Sequence, residues 1–174
     1  MDLLEFQAEQ LYFDDPVDPA ASALIDQAAE HYGESKAEAL LLQAYFLEPE
    51  HPLVLVALYR YFYYQHRLPD ALRVAERTLR ITARSLGLPE DWQALDKVAF
   101  DNGVLVSMTR LRFYMLALKG AGYLELRMGE YDSAMQRLRK VVELDDRDRL
   151  GAQALIDVAA AAIENNDLLH AAQA

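Results

Sequence analysis

A chain of 174 residues with 53% hydrophobic and 26% charged side chains has the composition of one globular domain, which excludes a disordered chain. It contains no cysteine, so disulfides, thiolate metal sites and thiol nucleophiles are excluded and a reducing compartment is expected. The net charge of −11 is unevenly placed: residues 1–50 carry 12 acidic and 1 basic side chains, residues 51–144 carry 10 and 14, and residues 145–174 carry 6 and 2. A mildly basic middle between acidic ends is a statement about docking surfaces.

Apolar residues recur at intervals of three and four, which predicts helices over 2–13, 19–32, 34–47, 52–66, 69–86, 90–100, 104–128, 131–144 and 148–164, with a last turn near 167–172. The N-terminal Met1-Asp2-Leu3-Leu4-Glu5 has no basic region ahead of an apolar core, so no signal peptide is expected. Residues 2–13 read either as a helix capping the helices after it, through Leu4, Ala8, Leu11 and Tyr12, or as an acidic arm reaching a groove. Pro16-Val17-Asp18-Pro19 would be its hinge. The six prolines fall at or near predicted helix ends, and Gly33, Gly87 and Gly129 sit where chains leave a helix in a left-handed residue. Leu53 to Tyr64 is the most apolar stretch, yet Arg60 interrupts it and it is too short to span a bilayer. The expectation is a cytoplasmic protein. Pro89-Glu90-Asp91-Trp92 looks like a helix start and Asp101-Asn102-Gly103 like its end. The stripe Leu105, Met108, Leu111, Met115, Leu118 then predicts one helix running into the next segment, and Leu155, Ile156, Ala159 and Ala162 mark a closing amphipathic helix.

An internal period of 34 residues relates Leu24 to Leu58, Ala37 to Ala71, Ala44 to Thr78 and Pro49 to Ala83. The segment Gly122-Tyr123-Leu124-Glu125-Leu126-Arg127-Met128-Gly129-Glu130-Tyr131-Asp132-Ser133-Ala134, followed by Leu138, Val141 and Leu144-Asp145, is the clearest copy. It resembles the tetratricopeptide repeat: a small residue in the first helix, a Gly-acidic-Tyr turn, and an Ala early in the second helix. The resemblance implies an all-α, right-handed solenoid of antiparallel helix pairs in a single domain. Its parts would be an N-terminal helix or arm at 1–17, repeats at 18–51, 52–85 and 115–148, an insertion at 86–114, and a capping helix at 149–174. The second repeat departs from the pattern, with Tyr59 in place of a small residue and His66-Arg67-Leu68 in place of the turn. Small residues are needed where antiparallel helices approach closely, which sets Gly122 against the region of Ala134.

Catalytic constellations are missing. His31, His51, His66 and His170 make no metal-spaced pair on a helix face, no glycine-rich phosphate loop follows a strand, and Asp145-Asp146-Asp148 lacks the spacing of a calcium loop. Glu48, Glu50 and His51 crowd one turn and read as a solvated helix end before a cation site. The sequence therefore predicts a non-enzymatic protein without cofactor or metal. The repeat family binds ligands along the inner face of its first helices. The resemblance places there Val56, Arg60, Tyr63 and Tyr64 from the second repeat, and Lys119, Tyr123, Leu126 and Arg127 from the third. Asp26, Ala29 and Glu30 follow from the first. Cations interleaved with tyrosines suit an acidic peptide with aromatic or aliphatic anchors. The expected function is an adaptor or dedicated chaperone that holds a peptide segment of a protein partner. The pattern that clamps chaperone C-termini is argued against, because Tyr123 replaces an Asn beside Lys119, and Ala57 and Gly120 fill another Asn place. The rival reading is a self-assembling homodimer without a foreign ligand. A third stems from Arg73, Arg77, Arg80 and Arg84 on one helix face, a stripe that can meet nucleic acid. A pI of 4.7 and the absence of aromatic residues in the stripe argue for a solvated face instead.

Overall fold

Proline and short polar side chains start most of the helices, and left-handed residues end several of them. The computed structural model describes residues 16–171, with side chains as far as Glu164. The helix or arm expected over 2–13 lies outside the described residues. Helix α1 (Pro19–Glu30) has Pro19 in its first turn, where a missing N–H costs nothing, and the Asp18 carboxylate accepts the Ala20 amide at 2.7 Å. Helix α2 (Ser35–Leu47) follows. Helix α3 (Pro52–Tyr64) is capped by His51, whose Nδ1 accepts the Leu53 amide at 3.2 Å. In the Glu48-Pro49-Glu50-His51 turn, the imidazole is thus a helix cap. Then come α4 (Leu68–Leu86), a single 3-10 turn at Trp92–Ala94, α5 (Lys97–Val106), α6 (Met108–Met128), α7 (Tyr131–Leu144) and α8 (Ala152–Ala171). The protein is all-α, with no strand among the described residues.

Three helices end in the same backbone motif. After α3, α4 and α6 the residue that follows a left-handed one bonds back to the carbonyl five positions earlier: Arg67 N to Phe62 O, Leu88 N to Ala83 O, and Glu130 N to Glu125 O, each 2.9 Å. The left-handed residues are Gly87 (φ 67°) and Gly129 (φ 80°), and after α3 it is His66 (φ 57°). The second repeat-like segment thus keeps the turn while lacking the glycine that makes it cheap.

Packing follows chain order. Helix α1 lies on α2, α2 on α3, α3 on α4, α4 on α6, α6 on α7 and α7 on α8, while α1 also touches α3 and α6 touches α8. Alanines that permit close approach, among them Ala37, Ala44, Ala71, Ala75 and Ala134, are completely buried. Tyr59, the bulky replacement in α3, is buried as well. The atoms nearest Gly122 belong to the α7 turn that follows Ala134. A Cβ at Gly122 would come within 3.1 Å of Leu138 Cγ and 3.3 Å of Arg137 Cβ, one turn further along α7.

The insertion differs from expectation. Two side-chain caps, Asp91 accepting from Gln93 N at 2.9 Å and Asp96 accepting from Ala99 N at 2.8 Å, split the helix expected over 90–100 into a turn and a new start. Helix α5 passes through Asp101-Asn102-Gly103 and stops at Ser107, which is extended and caps α6 by accepting Arg110 N at 3.2 Å. The predicted stripe is cut at that point: Leu111, Met115 and Leu118 are buried, whereas Leu105 is 85% and Met108 60% exposed. At the other end, Asp148 accepts from Ala152 N (2.7 Å) and Gln153 N (3.2 Å), so the closing helix begins at 152, beyond the expected 148.

A tyrosine–arginine cluster as candidate binding site

Helices α3 and α6 come near each other at two places, in the same order along both. At one end His51 and Pro52 share a cleft of about 640 Å³ with Arg110 and Phe113. At the other, the Tyr63 and Tyr123 rings lie 6.2 Å apart with their hydroxyls 3.2 Å apart. Between the two meetings α3 advances 11 residues from Pro52 to Tyr63 and α6 advances 10 from Phe113 to Tyr123, about 15 Å at 1.5 Å per residue.

The far end of this seam is a built cluster. Arg127 Nη1 donates to the Tyr63 hydroxyl at 3.2 Å and to the Tyr123 hydroxyl at 3.3 Å. Tyr64 packs edge-on to Tyr63 at 5.3 Å, and Tyr32, just past α1, packs edge-on to Tyr61 at 6.1 Å and to Tyr64 at 6.4 Å. Burial, and then the hydrogen bond with Tyr123, push the Tyr63 phenol above its usual pKa, with Arg127 pulling the other way. The Tyr63 phenol is thereby favoured in its neutral form, and the contact with the Tyr123 hydroxyl raises the pKa of Arg127, which keeps its charge. No carboxylate among the described residues lies against that guanidinium, and Arg127 is an exposed side chain.

Of the residues expected in the groove, the structure brings Tyr63, Tyr64, Tyr123 and Arg127 together. Arg60 and Leu126 are half-buried on the same two helices. Val56 and Lys119 are only 2% and 6% exposed, so neither offers surface to a ligand. Asp26, Ala29 and Glu30 lie on α1 and are all exposed. The sequence reading missed Tyr32 and Tyr61, which belong to the ring cluster. The tight turn after α1, marked by Gly33, was the available signal that Tyr32 folds back.

The chain is 46% identical over 164 residues to the uncharacterized 19.8 kDa protein in nifW 5'region of Azotobacter chroococcum mcd 1, a match covering 92% of this chain and 89% of that one. The two belong to one family. No protein-family model and no solved structure matches the chain.

In this family member a second polar cluster is buried on the other side of α6. Arg137 on α7 donates through Nε to Glu125 on α6 at 2.8 Å and through Nη2 to Glu76 on α4 at 2.7 Å. The Trp92 ring lies 5.1 Å from its guanidinium carbon. Desolvation raises the Glu125 pKa although Arg137 opposes it, and burial likewise raises that of Tyr114. Glu125 Oε2, Arg137 Nη1 and the Tyr114 hydroxyl are buried without a hydrogen-bond partner among the described residues. Nearby bonds hold the insertion to α7 and the turn after it: Lys140 Nζ to Leu95 O at 2.9 Å, Gln93 to Gln136 at 3.1 Å, and Lys97 to Asp146 at 3.4 Å. The arrangement is one of anchoring.

Three of the four arginines of the α4 stripe are locally engaged. Arg73 pairs with Asp70 at 2.9 Å, Arg84 with Glu90 at 3.2 Å, and Arg77 lies over the Tyr45 ring at 5.3 Å. Among the described residues no group of three or more His, Asp or Glu side chains is placed to hold a metal ion, and no helix is long and apolar enough to cross a membrane.

Proposed function

We propose that the chain is a tetratricopeptide-like solenoid acting without catalysis, an adaptor or dedicated chaperone that holds an acidic peptide segment of a protein partner along the α3/α6 seam. The two meetings of α3 and α6 in the same order, the chain-order packing and the repeated left-handed turn support the solenoid part. The observation that carries the binding part is Arg127. Its guanidinium is oriented by two phenol oxygens, while its remaining donors face no carboxylate among the described residues. An arginine fixed in this way loses less freedom on meeting a ligand carboxylate, and the surrounding rings supply flat area for an aromatic or aliphatic anchor. Helix α3 has no acidic residue, and the single one on α6, Glu125, is paired to Arg137, so the seam repels no acidic peptide.

The test is an array of acidic–aromatic and basic–aromatic 12-residue peptides against the full chain and its Arg60→Glu/Arg127→Glu variant. Acidic peptides are expected to bind, and the double variant to lose tenfold or more, on the basis of about 1–2 kcal/mol per charge-assisted contact. Equal binding of both peptide classes, or an unaffected variant with an unchanged melting temperature, would overturn it.

A second reading has its own observation. Leu42, Phe46 and Leu47 on α2 are exposed, Phe46 to 86%, and with Leu24 they line a shallow apolar groove. A homodimer formed on this face would show in light scattering as a concentration-dependent mass that Phe46→Ser abolishes; a monomer at every concentration would remove it.

A further inference from the structure

Helix α5 has two unlike faces. Gly103 is buried against Leu88 and Leu111, and Ala99, Phe100 and Val104 pack half-buried against the core. The opposite face is bare and largely apolar: Val98 is 70% exposed and Leu105 85%, and the corner into α6 adds Val106 at 61% and Met108 at 60%. At 3.6 residues per turn, Val98, Asn102 and Leu105 fall within about 60° of arc, so an exposed amide stands between two exposed apolar knobs. A Val, Leu or Met side chain in this state presents about 100 Å² of apolar surface, which gives the four residues roughly 400 Å². On a monomer, a patch of that size marks an interaction site.

We propose that this face binds the same face of a second copy of the chain, α5 against α5 in opposite directions about a two-fold axis at Asn102. Reversal about that residue sets Val98 of one copy against Leu105 of the other, and does so twice. The amide at the axis is donor and acceptor at once, so the two copies of Asn102 complement each other. One polar pair inside an apolar contact also fixes the register. The area agrees. Two such faces bury about 800 Å² of apolar surface, which at the roughly 65% apolar share of homodimer interfaces makes about 1,200 Å² in all, the lower bound of a stable specific interface. This contact uses neither the α2 groove nor the tyrosine–arginine cluster.

Sedimentation equilibrium on the full chain across the micromolar range is expected to show monomer and dimer in exchange. Leu105→Glu should raise the dissociation constant by roughly a hundredfold or more, because both copies of the charge enter one apolar contact, while the melting temperature stays that of the parent. Leu105→Ala should weaken the dimer in the same direction and serves if circular dichroism shows the charged variant unfolded. Phe46→Ser, in the α2 groove, should leave the dimer unchanged. Because the chain has no cysteine, Asn102→Cys reports the axis directly. On mild oxidation it should form a disulfide-linked dimer roughly tenfold faster, or more, than Ser133→Cys at an exposed position of α7. A chain that is monomeric at every concentration, whether or not another protein shields Asn102→Cys from a thiol reagent, would overturn the proposal. So would a dimer that Phe46→Ser dissolves or that Leu105→Glu leaves intact, and so would cross-linking at Asn102→Cys no faster than at Ser133→Cys.

Discussion

Replacing glycine by alanine inside a helix gains about 0.5–1 kcal/mol of backbone entropy, so two such changes in this protein should have the same sign unless packing decides otherwise. Gly103 in α5 and Gly122 in α6 are both buried. A Cβ at Gly103 would meet Leu88 Cδ2 at 3.2 Å and Leu111 Cδ1 at 3.3 Å, which are the terminal methyls of flexible side chains. At Gly122 the nearest atoms are Leu138 Cγ at 3.1 Å and Cδ2 at 3.2 Å, with Arg137 Cβ at 3.3 Å. A branch carbon on a completely buried leucine cannot swing aside, and Arg137 is fixed by carboxylates on two other helices. Overpacking of that kind costs about 1–3 kcal/mol, so Gly122→Ala should destabilise by about 1–2 kcal/mol net, while Gly103→Ala should match or exceed the parent. In a domain of this size about 1 kcal/mol moves the melting temperature by about 2–4 °C, and differential scanning calorimetry on the two variants resolves that difference. Equal shifts of the same sign would refute the close α6/α7 approach at Gly122.

His66→Gly should leave stability unchanged or raise it by up to about 1 kcal/mol, because relief of a left-handed histidine is partly offset by glycine's freedom in the unfolded chain; a clear loss in urea melts would mean the imidazole holds the turn. Ala134→Leu should cost about 1–3 kcal/mol by overpacking a completely buried position, and an unchanged melting temperature would refute the assigned packing of α7. Glu125 has a folded pKa above its unfolded value of 4.5, so the folded state binds the extra proton and the contribution of this carboxyl to stability falls as pH rises from that value through the folded pKa. The stability of the parent relative to Glu125→Gln should therefore decline with pH across that window in denaturant titrations, and a rising difference would contradict the dominance of desolvation.

The helices were legible wherever a chemical stop or start coincided with the period. Pro19, Pro52 and the caps at Asp18, Gly87 and Gly129 put α1, α3, α4, α6 and α7 within a few residues of expectation. The insertion was misread because Asp96 and Ser107 act as caps in the middle of an unbroken apolar rhythm, and periodicity does not report a cap that interrupts it. Tyr63, Tyr64, Tyr123 and Arg127 were found from register, since an exposed face repeats every three or four residues. Val56 and Lys119 share that register, yet depth in the groove depends on how far neighbouring helices splay, and the sequence carries no measure of it. The Arg137 cluster was invisible for a related reason: its four members are spread from residue 76 to residue 137 and meet only in space.

That meeting has a consequence for how the molecule comes apart. Helices stacked mainly on their chain neighbours can in principle open from one end, pair by pair. Arg137 ties α4, α6, α7 and the Trp92 turn at one point, and freeing any of them strands a guanidinium or a carboxylate that has already left water. Amides from Leu68 to Leu144 should therefore exchange with deuterium as one cooperative unit, while α1 and α2 fray ahead of it. Any partner that needs this chain to open would have to enter from the N-terminal side.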